Sequence, residues 1–273
     1  SIYGPISYLQ TLGFEVDFVK TKNGIVDLED LKTLLRPDTI LVTIGAVNSE
    51  VGLRQPIEEI GELLKEYPCY FHVDATQAIG KIKIDFRNVD LISFTAHKFY
   101  GIKGIACLVK KESILMEPLI HGGKSTTKYR SGTPALPLIV SMAKALRLID
   151  EELDTNYQHT LELNQYLKEQ LKNINQIKIN SNEKAIPHIL NISVMGIKPE
   201  TMQHALEEYD IYISTQSACS SNNPISRSVL EATKDEETAK HSIRISLSGI
   251  TTKEEIDQLL VALKECLERL HIK

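Results

Sequence analysis

The sequence lacks the features of a membrane, secretory or nucleic-acid-binding protein. No apolar run approaches the ~18 residues of a membrane-spanning helix, and no secretory signal pattern opens the chain. The formal net charge is −5, and the Lys and Arg residues are scattered rather than gathered in one block. We therefore predict a cytoplasmic protein without a membrane partner and without direct nucleic-acid binding.

Cysteine is scarce, and its spacing excludes two kinds of site. The four cysteines are far apart and form no CxxC pair: Cys69, Cys107, Cys219 and Cys266. No His, Cys, Asp or Glu cluster has metal-ligand spacing either, so we predict no metal site and no disulfide framework. Three of the four lie in apolar strand-like or helical surroundings that are typical of packing. Cys219 differs, because it lies in a Ser-, Asn- and Pro-rich stretch that predicts a loop.

The chain has the composition of an ordinary globular protein and a regular order of elements. Hydrophobic residues make up 42% and charged residues 25% of the 273 positions, enough for a large domain and a smaller one. The first half alternates strand and helix patterns, which indicates a mostly parallel sheet with flanking helices. The predicted strands are 14–19, 39–47, 70–74, 91–95 and 105–109, and the predicted helices are 1–12, 27–36 and 56–67.

Helical periodicity then divides the chain. Apolar residues keep helical spacing from about residue 137 to 173, with a predicted break near 154–156. The patterns that follow indicate a smaller α+β unit with elements around 186–194, 199–208, 211–215, 241–248 and 253–270. We therefore predict an α/β fold with a large domain over residues 1–153 and a small domain over 154–273.

Polar residues follow two of the predicted strands. The run YFHVDATQ places Asp74 and Gln77 at the end of one strand, and SFTAHK places Lys98 at the end of the next. Ligands bind at this edge of open α/β sheets, where a carboxylate can keep a pyridine nitrogen protonated. A desolvated lysine amine can form a Schiff base there. Alone, Asp74 is better explained as a turn cap and Lys98 as a solvated cation; together they indicate a site for pyridoxal 5′-phosphate (PLP).

Four motifs carry a resemblance to a known family. HVDATQ at 72–77, SFTAHKFYGIKG at 93–104, RSGT at 130–133 and STQSACSS at 214–221 resemble, in this order, motifs of the cysteine desulfurases. These are fold-type I PLP enzymes that take sulfur from L-cysteine, and the likeness runs over essentially the whole chain. The resemblance implies PLP as cofactor, L-cysteine as substrate, a sulfur-acceptor protein as partner, and a homodimer.

The resemblance also implies roles for the residues around PLP. Lys98 would form the Schiff base, and Asp74 would pair with the pyridinium nitrogen. Gln77 would hydrogen-bond the phenolic oxygen of the ring. Thr95 and His97 would hold the phosphate.

Three more distant residues complete the implied site. Thr133, in RSGT, would contribute to the phosphate site of the neighbouring subunit. Asn48 would lie near the phenolic oxygen and the substrate carboxylate. Arg244 would bind that carboxylate through a bidentate pair, although without the family a structural ion pair is the slightly favoured interpretation of Arg244.

Cys219 carries the implied sulfur chemistry. Lys98 would remove the α proton as general base, and the Cys219 thiolate would attack the substrate sulfur, giving a Cys219 persulfide and L-alanine. The long segment between Cys219 and Arg244 resembles the extended mobile loop of members that hand sulfur to acceptor proteins. Iron-sulfur scaffolds and tRNA-thiolation enzymes are both possible acceptors. Gln216 departs from the family pattern, which has glycine there.

Two alternatives remain open. Family members carry a phosphate-binding turn at a helix N-terminus and a ring-stacking histidine before the point that matches Ser1, so we expect a truncated enzyme. One alternative is another fold-type I enzyme, such as an aminotransferase or selenocysteine lyase. The other is an inactive fragment that acts only as a binding module through the Cys219 loop. His72 is explained equally well as a core imidazole and as part of the cofactor pocket.

Overall fold

The first half of the chain builds a four-stranded sheet with helices beside it. The computed structural model describes residues 2–123, 127–215 and 225–270. The elements are α1 (Tyr3–Thr11), β1 (Thr21–Lys22), β2 (Ile25–Val26), α2 (Leu28–Leu34), β3 (Leu41–Gly45), α3 (Ile57–Leu64), β4 (Tyr70–Asp74), β5 (Leu91–Thr95), a 3-10 turn (Ala96–Lys98) and β6 (Ala106–Lys110). The predicted α/β order is confirmed.

The register of this sheet brings three strand ends together. Its order is β3-β4-β5-β6, with β3, β4 and β5 parallel and β6 antiparallel to β5. Gly45 pairs with Asp74, and Asp74 pairs with Ser93. The carboxyl ends of the three parallel strands therefore form one edge, which is where such sheets bind ligands.

Local signals place the helices that support this edge. The Asp27 side chain accepts a hydrogen bond from the Glu29 N–H and caps α2, as predicted. α3 buries Ile57, Ile60 and Leu64 at helical spacing, against a core built around β3 and β4. Full burial of such a side chain contributes about 1.5–3 kcal/mol. The helices are therefore fixed mainly by their apolar faces.

The predicted strand at 14–19 is wrong. Residues 14–20 form no strand, and Phe14 and Phe18 are 50% and 58% exposed. Strand propensity largely reflects packing against neighbours on a half-buried surface. No strand in the described part of the chain pairs with this segment, so its aromatic residues remain unburied.

The second half forms an antiparallel sheet covered by helices. Its elements are α4 (Leu136–Glu151), α5 (Leu153–Leu171), β7 (Ile177–Ile179), β8 (Ile189–Val194), α6 (Pro199–Glu207), α7 (Arg227–Thr233), α8 (Glu236–Lys240), β9 (Ser242–Ser246) and α9 (Lys253–Leu270). The break between the long helices falls at Glu152, slightly before the predicted position. The sheet order is β7-β8-β9, and every residue of β8 is buried. In the 211–215 segment, the structure has a single bridge between Ser214 and Arg244 rather than a strand.

The two halves share contacts at the start of β8. The Ile186 N–H donates to the Gly52 carbonyl at 2.8 Å, and Ile186 and Ile189 belong to the core of the first sheet. Gly52 has φ +75°, and a Cβ there would lie 3.0 Å from Ile189, so glycine allows this approach. The domain boundary at 153/154 stays a prediction. Among residues 2–123, 127–215 and 225–270, every helix is too short or too polar to span a bilayer.

Candidate active site

Asp74 lies at the end of β4 and is held there by a turn. Its Oδ1 accepts a hydrogen bond from the Thr76 N–H at 3.0 Å, and the Ala75 N–H donates to the Ser93 carbonyl at 2.8 Å. The carboxylate therefore caps a turn, as its local sequence suggested, and also stands at the ligand-binding edge of the sheet. The two interpretations of Asp74 are compatible.

His72 is a satisfied imidazole within the sheet. Its Nδ1 lies 2.7 Å from Thr43 Oγ1, and its Nε2 lies 3.0 Å from Ser93 Oγ. Burial lowers the pKa of His72, and the charge of Asp74 opposes that shift only in part. The ring links β3, β4 and β5 and favours the neutral form.

Lys98 ends the short turn that follows β5. The Gly101 N–H donates to the Ala96 carbonyl at 2.9 Å, and a Cβ at Gly101 would lie 2.7 Å from the Ala96 Cβ. Glycine is thus required for the tight turn that holds the lysine. Burial, and then the charge of Arg244, lower the pKa of the half-buried Lys98 amine. A lower pKa favours the unprotonated amine that a Schiff base needs.

Thr95 and His97 lie beside Lys98 in the chain and contact each other. Thr95 Oγ1 is 3.0 Å from His97 Nδ1 and donates to the Ile105 carbonyl at 3.1 Å. His97 is exposed. The pair offers polar groups at the end of β5, and its predicted phosphate contacts stay a prediction.

Lys81 is a residue of this site that the sequence analysis missed. Its Nζ donates to Gln77 Oε1 at 2.9 Å, and the two residues are four positions apart in a run of turns after β4. Burial, and then the charges of Lys98 and Arg244, lower the pKa of Lys81 to about 8. The only signal in the sequence is the four-residue spacing from Gln77, which surface lysines show just as often.

Arg244 reaches the site from β9 in the other sheet. Its Nη1 donates to the Ser49 carbonyl at 2.9 Å, and its Nη2 donates to Ser214 Oγ at 3.0 Å. Its Nε is buried without a hydrogen-bond partner among the described residues. Burial lowers the pKa of Arg244, and Glu50 opposes that shift. The guanidinium therefore retains an unused donor.

Asn48 has a local structural role. Its Oδ1 accepts hydrogen bonds from the N–H groups of Glu50 at 2.9 Å and Val51 at 3.0 Å, and its Nδ2 donates to Ser228 Oγ at 3.1 Å. The side chain thus shapes the turn after β3 and ties it to α7. Its predicted contacts with cofactor and substrate stay a prediction.

Cys219 lies outside the described residues, but both ends of its segment can be located. On one side, Ser214 forms a backbone bridge with Arg244. On the other, Ser226 caps α7 and its Oγ donates to Glu50 Oε2 at 2.5 Å. The chain therefore enters and leaves this segment beside Arg244 and the turn that contains Asn48.

Thr133 lies in the RSGT segment before α4. Its side chain is exposed, and its carbonyl accepts a hydrogen bond from Arg130 Nη1 at 3.5 Å. Its predicted contact with the phosphate of a neighbouring subunit stays a prediction.

The other cysteines have properties of packed thiols. Burial raises the pKa of Cys69, Cys107 and Cys266, which disfavours their reactive thiolates. Within residues 2–123, 127–215 and 225–270, no group of three His, Cys, Asp or Glu could hold a metal ion.

The donor set fits PLP. Lys81, Lys98 and Arg244 form a cluster in which each lysine feels the charge of Arg244, so an anion bearing phosphate is electrostatically favoured. The buried Nε of Arg244 has no hydrogen-bond partner among the described residues. Asp74 supplies a carboxylate at the sheet edge for a ring nitrogen. These features fit the cofactor site of a fold-type I PLP enzyme.

Comparison with known proteins gives the family. The aminotransferase class-V family model matches residues 2–259. The mitosomal cysteine desulfurase of Encephalitozoon cuniculi is 40% identical over 96% of this chain and 62% of that protein. Cysteine desulfurase IscS of Buchnera aphidicola is 40% identical over 99% of this chain and 68% of that protein. The chain belongs to the aminotransferase class-V family, within its cysteine desulfurases.

Solved structures agree with this assignment. A NifS-like protein superposes with a TM-score of 0.91 at 36% identity, covering 98% of this chain and 72% of that one. A NifS-like protein from Rickettsia africae gives a TM-score of 0.88 at 28% identity, covering 98% of this chain and 72% of that one. The chain spans 62% of the Encephalitozoon relative.

Proposed function

We propose that this protein is a PLP-dependent cysteine desulfurase that converts L-cysteine to L-alanine and a persulfide on Cys219. The observation that carries the proposal is the meeting of Lys98 with Arg244, which come from different sheets and lie close enough for one charge to lower the pKa of the other. Family membership supports the same reaction. Because the chain spans 62% of the Encephalitozoon relative, we propose this activity for the whole protein.

The residues at the sheet edge would hold the cofactor. PLP, when bound, supplies an electron sink for the substrate α carbon. Asp74 would keep the pyridine nitrogen protonated, while Gln77 and Asn48 would approach the phenolic oxygen. Thr95 and His97 would hold the phosphate.

Arg244, Lys98 and Cys219 would act on the substrate. Arg244 would bind the substrate carboxylate through its guanidinium group, whose geometry suits a carboxylate. The lowered pKa of Lys98 suits it to remove the α proton as general base. The Cys219 thiolate would then attack the substrate sulfur: an S–S bond forms, and the bond between that sulfur and the β carbon breaks.

The test is turnover with L-cysteine in the presence of PLP. We expect equal amounts of alanine and, with a reducing thiol, sulfide. Cys219→Ser should lower sulfide release at least about a hundredfold while the visible absorbance of bound PLP remains, because only the nucleophile is lost. Cys107→Ser is the matched control and should keep full turnover.

Three outcomes separate the alternatives. Retained sulfide release in Cys219→Ser would favour another fold-type I reaction, such as that of a selenocysteine lyase. Transamination of L-cysteine without sulfide would favour an aminotransferase. Absence of any PLP band would favour a binding module.

The finer predictions concern partners and place. We propose a homodimer in which the exposed Thr133 reaches the phosphate of the neighbouring subunit, and a division into domains at 153/154. Light scattering of the wild type and PLP affinity of Thr133→Ala test the first. We also predict an acceptor protein that serves iron-sulfur assembly or tRNA thiolation.

A cytoplasmic location stays a prediction as well. The name of one relative assigns that protein to a mitosome, so cell fractionation is the direct test of location.

A further inference from the structure

Lys81 and Gln77 form a hydrogen bond whose direction is fixed by chemistry. The Lys81 Nζ lies 2.9 Å from Gln77 Oε1. A protonated lysine has three donors and no acceptor, so it must face the carbonyl oxygen of an amide and not its NH2 group. The NH2 group of Gln77 is therefore turned away from Lys81. The orientation of the Gln77 amide follows from the presence of this lysine.

The fold brings this pair against the turn of Lys98. Gly80 has φ +75°, and a Cβ there would lie 2.9 Å from the Cβ of Phe99, the residue after Lys98. The charges of Lys98 and Arg244 both act on Lys81. The Gln77 amide is thus hydrogen-bonded to a lysine that has Lys98 and Arg244 as charged neighbours.

His188 is a neighbour of Lys81 that carries no charge near pH 7. His188 is 5% exposed, and its Nδ1 has no hydrogen-bond partner among the described residues. Burial, and then the charge of Lys81, lower the pKa of His188 to about 4, so this imidazole is neutral near pH 7. The charges that act on Lys81 are those of Lys98 and Arg244, and both are positive. A partly buried ammonium group beside other cations is costly unless it is hydrogen-bonded, and the Gln77 carbonyl oxygen supplies a hydrogen bond.

We propose that Lys81 is a positioning residue that holds the Gln77 amide with its NH2 group directed to the phenolic oxygen of PLP. The inference rests on the proposed function, because it needs the ring oxygen as the acceptor. A donor at this oxygen stabilises its ionised form. Without Lys81, the amide can rotate and present its carbonyl instead, which would destabilise that form.

A double-mutant cycle separates positioning from charge. The visible absorbance of bound PLP is titrated with pH in Lys81→Met, Gln77→Leu and the double variant. In the chain that retains Gln77, Lys81→Met should raise the apparent pKa of the absorbance titration. The rise should correspond to a roughly tenfold lower acid dissociation constant, the size of one charge-assisted hydrogen bond. In the Gln77→Leu background, the same substitution should have little effect, because no amide remains to orient.

The controls address charge and folding. Lys81→Arg should restore most of the wild-type titration, since it retains donors and charge. Lys83→Met is the matched control: Lys83 pairs with Asp154 on the surface at 2.6 Å, and its loss should leave the titration unchanged. If Lys81→Met shifts the titration equally with Gln77 present and in the Gln77→Leu background, Lys81 acts through its charge alone, which overturns the proposal.

A second measurement needs no cofactor. In the PLP-free chain, the 13C signal of the Gln77 side-chain carbonyl, assigned by its loss in Gln77→Leu, should shift in Lys81→Met and not in Lys83→Met. An unmoved signal overturns the inference whatever the activity. A wild-type chain without a PLP band counts against the proposed function, while the carbonyl signal still decides whether Lys81 orients the amide.

Discussion

The lysines of the site and those of the outer surface show opposite electrostatics. Burial lowers the pKa of Lys81 and Lys98, and the neighbouring Arg244 adds to the effect. On the surface, hydrogen bonds to carboxylates raise the pKa of Lys22 beside Asp27 and of Lys253 beside Asp257. The charged form of lysine is therefore stabilised on the surface and destabilised in the site.

The difference in lysine pKa between the two regions shows where a negatively charged ligand would be favoured. Exposed ion pairs are screened by water and contribute little to stability. Desolvation instead disfavours the charged forms of the partly buried Lys81 and Lys98, and an anionic ligand that binds only the folded chain would stabilise that chain. Lys81 and Lys98, whose pKa Arg244 also lowers, therefore mark a place where an anionic ligand would be stabilised.

The largest expected effect is that of Lys98→Ala. The visible absorbance band with added PLP should be lost completely, because the covalent link to the cofactor needs this amine. Lys103→Ala, five positions along the chain and exposed, should keep the band. Equal spectra for the two variants would contradict the assignment of Lys98.

Arg244→Lys should have the next largest effect. Lysine cannot reproduce the fork that reaches both Ser49 and Ser214, and it binds a carboxylate less specifically. We expect KM for L-cysteine to rise about tenfold or more, with a smaller change in kcat. Arg269→Lys, in the surface pair with Glu208, serves as the control and should leave KM unchanged.

Lys81 should contribute to the pH dependence of the unfolding free energy. Its pKa falls from an ordinary 10.5 to about 8 on folding, so between these values the unfolded chain binds the proton more tightly. The unfolding free energy of the wild type should therefore rise with pH across this window, relative to Lys81→Met, by roughly 3 kcal/mol at most.

Urea unfolding of the two PLP-free variants, from about pH 7 to about pH 10.5, measures this difference. Lys98 has a lowered pKa too, but it is present in both variants and largely cancels. The pKa of His188 is about 4, well below the window. If the difference in unfolding free energy between the variants stays constant across the window, the pKa of Lys81 is not lowered by folding.

The smallest effect is expected on the surface. Lys253→Met removes an exposed ion pair with Asp257, whose other oxygen still accepts from Tyr166. We expect no resolvable change in the midpoint of thermal unfolding and none in turnover. A marked loss of stability would contradict the view that exposed lysine ion pairs contribute little to stability.

Several features of the site could be predicted from the sequence because they are local. Strands 70–74 and 91–95 are observed as β4 and β5, since short apolar runs bounded by polar residues define strands by themselves. The parallel arrangement of those strands brings Asp74 and Lys98 to one edge. The Asp27 cap depends only on residues two positions apart.

Other features depend on contacts between distant parts of the chain. The failure of the 14–19 strand, the burial of Lys81 and the approach of Arg244 to Lys98 have no local signature. A strand needs a partner, and a pKa depends on the surroundings that other segments supply.

The sequence by itself determined the order of elements, the edge of the sheet and the residue types placed there, because periodicity, caps and strand ends act over a few residues. Only the tertiary structure decided which cations meet. Lys81, Lys98 and Arg244 are up to 163 positions apart, and their shared desolvation exists only once two sheets have packed together.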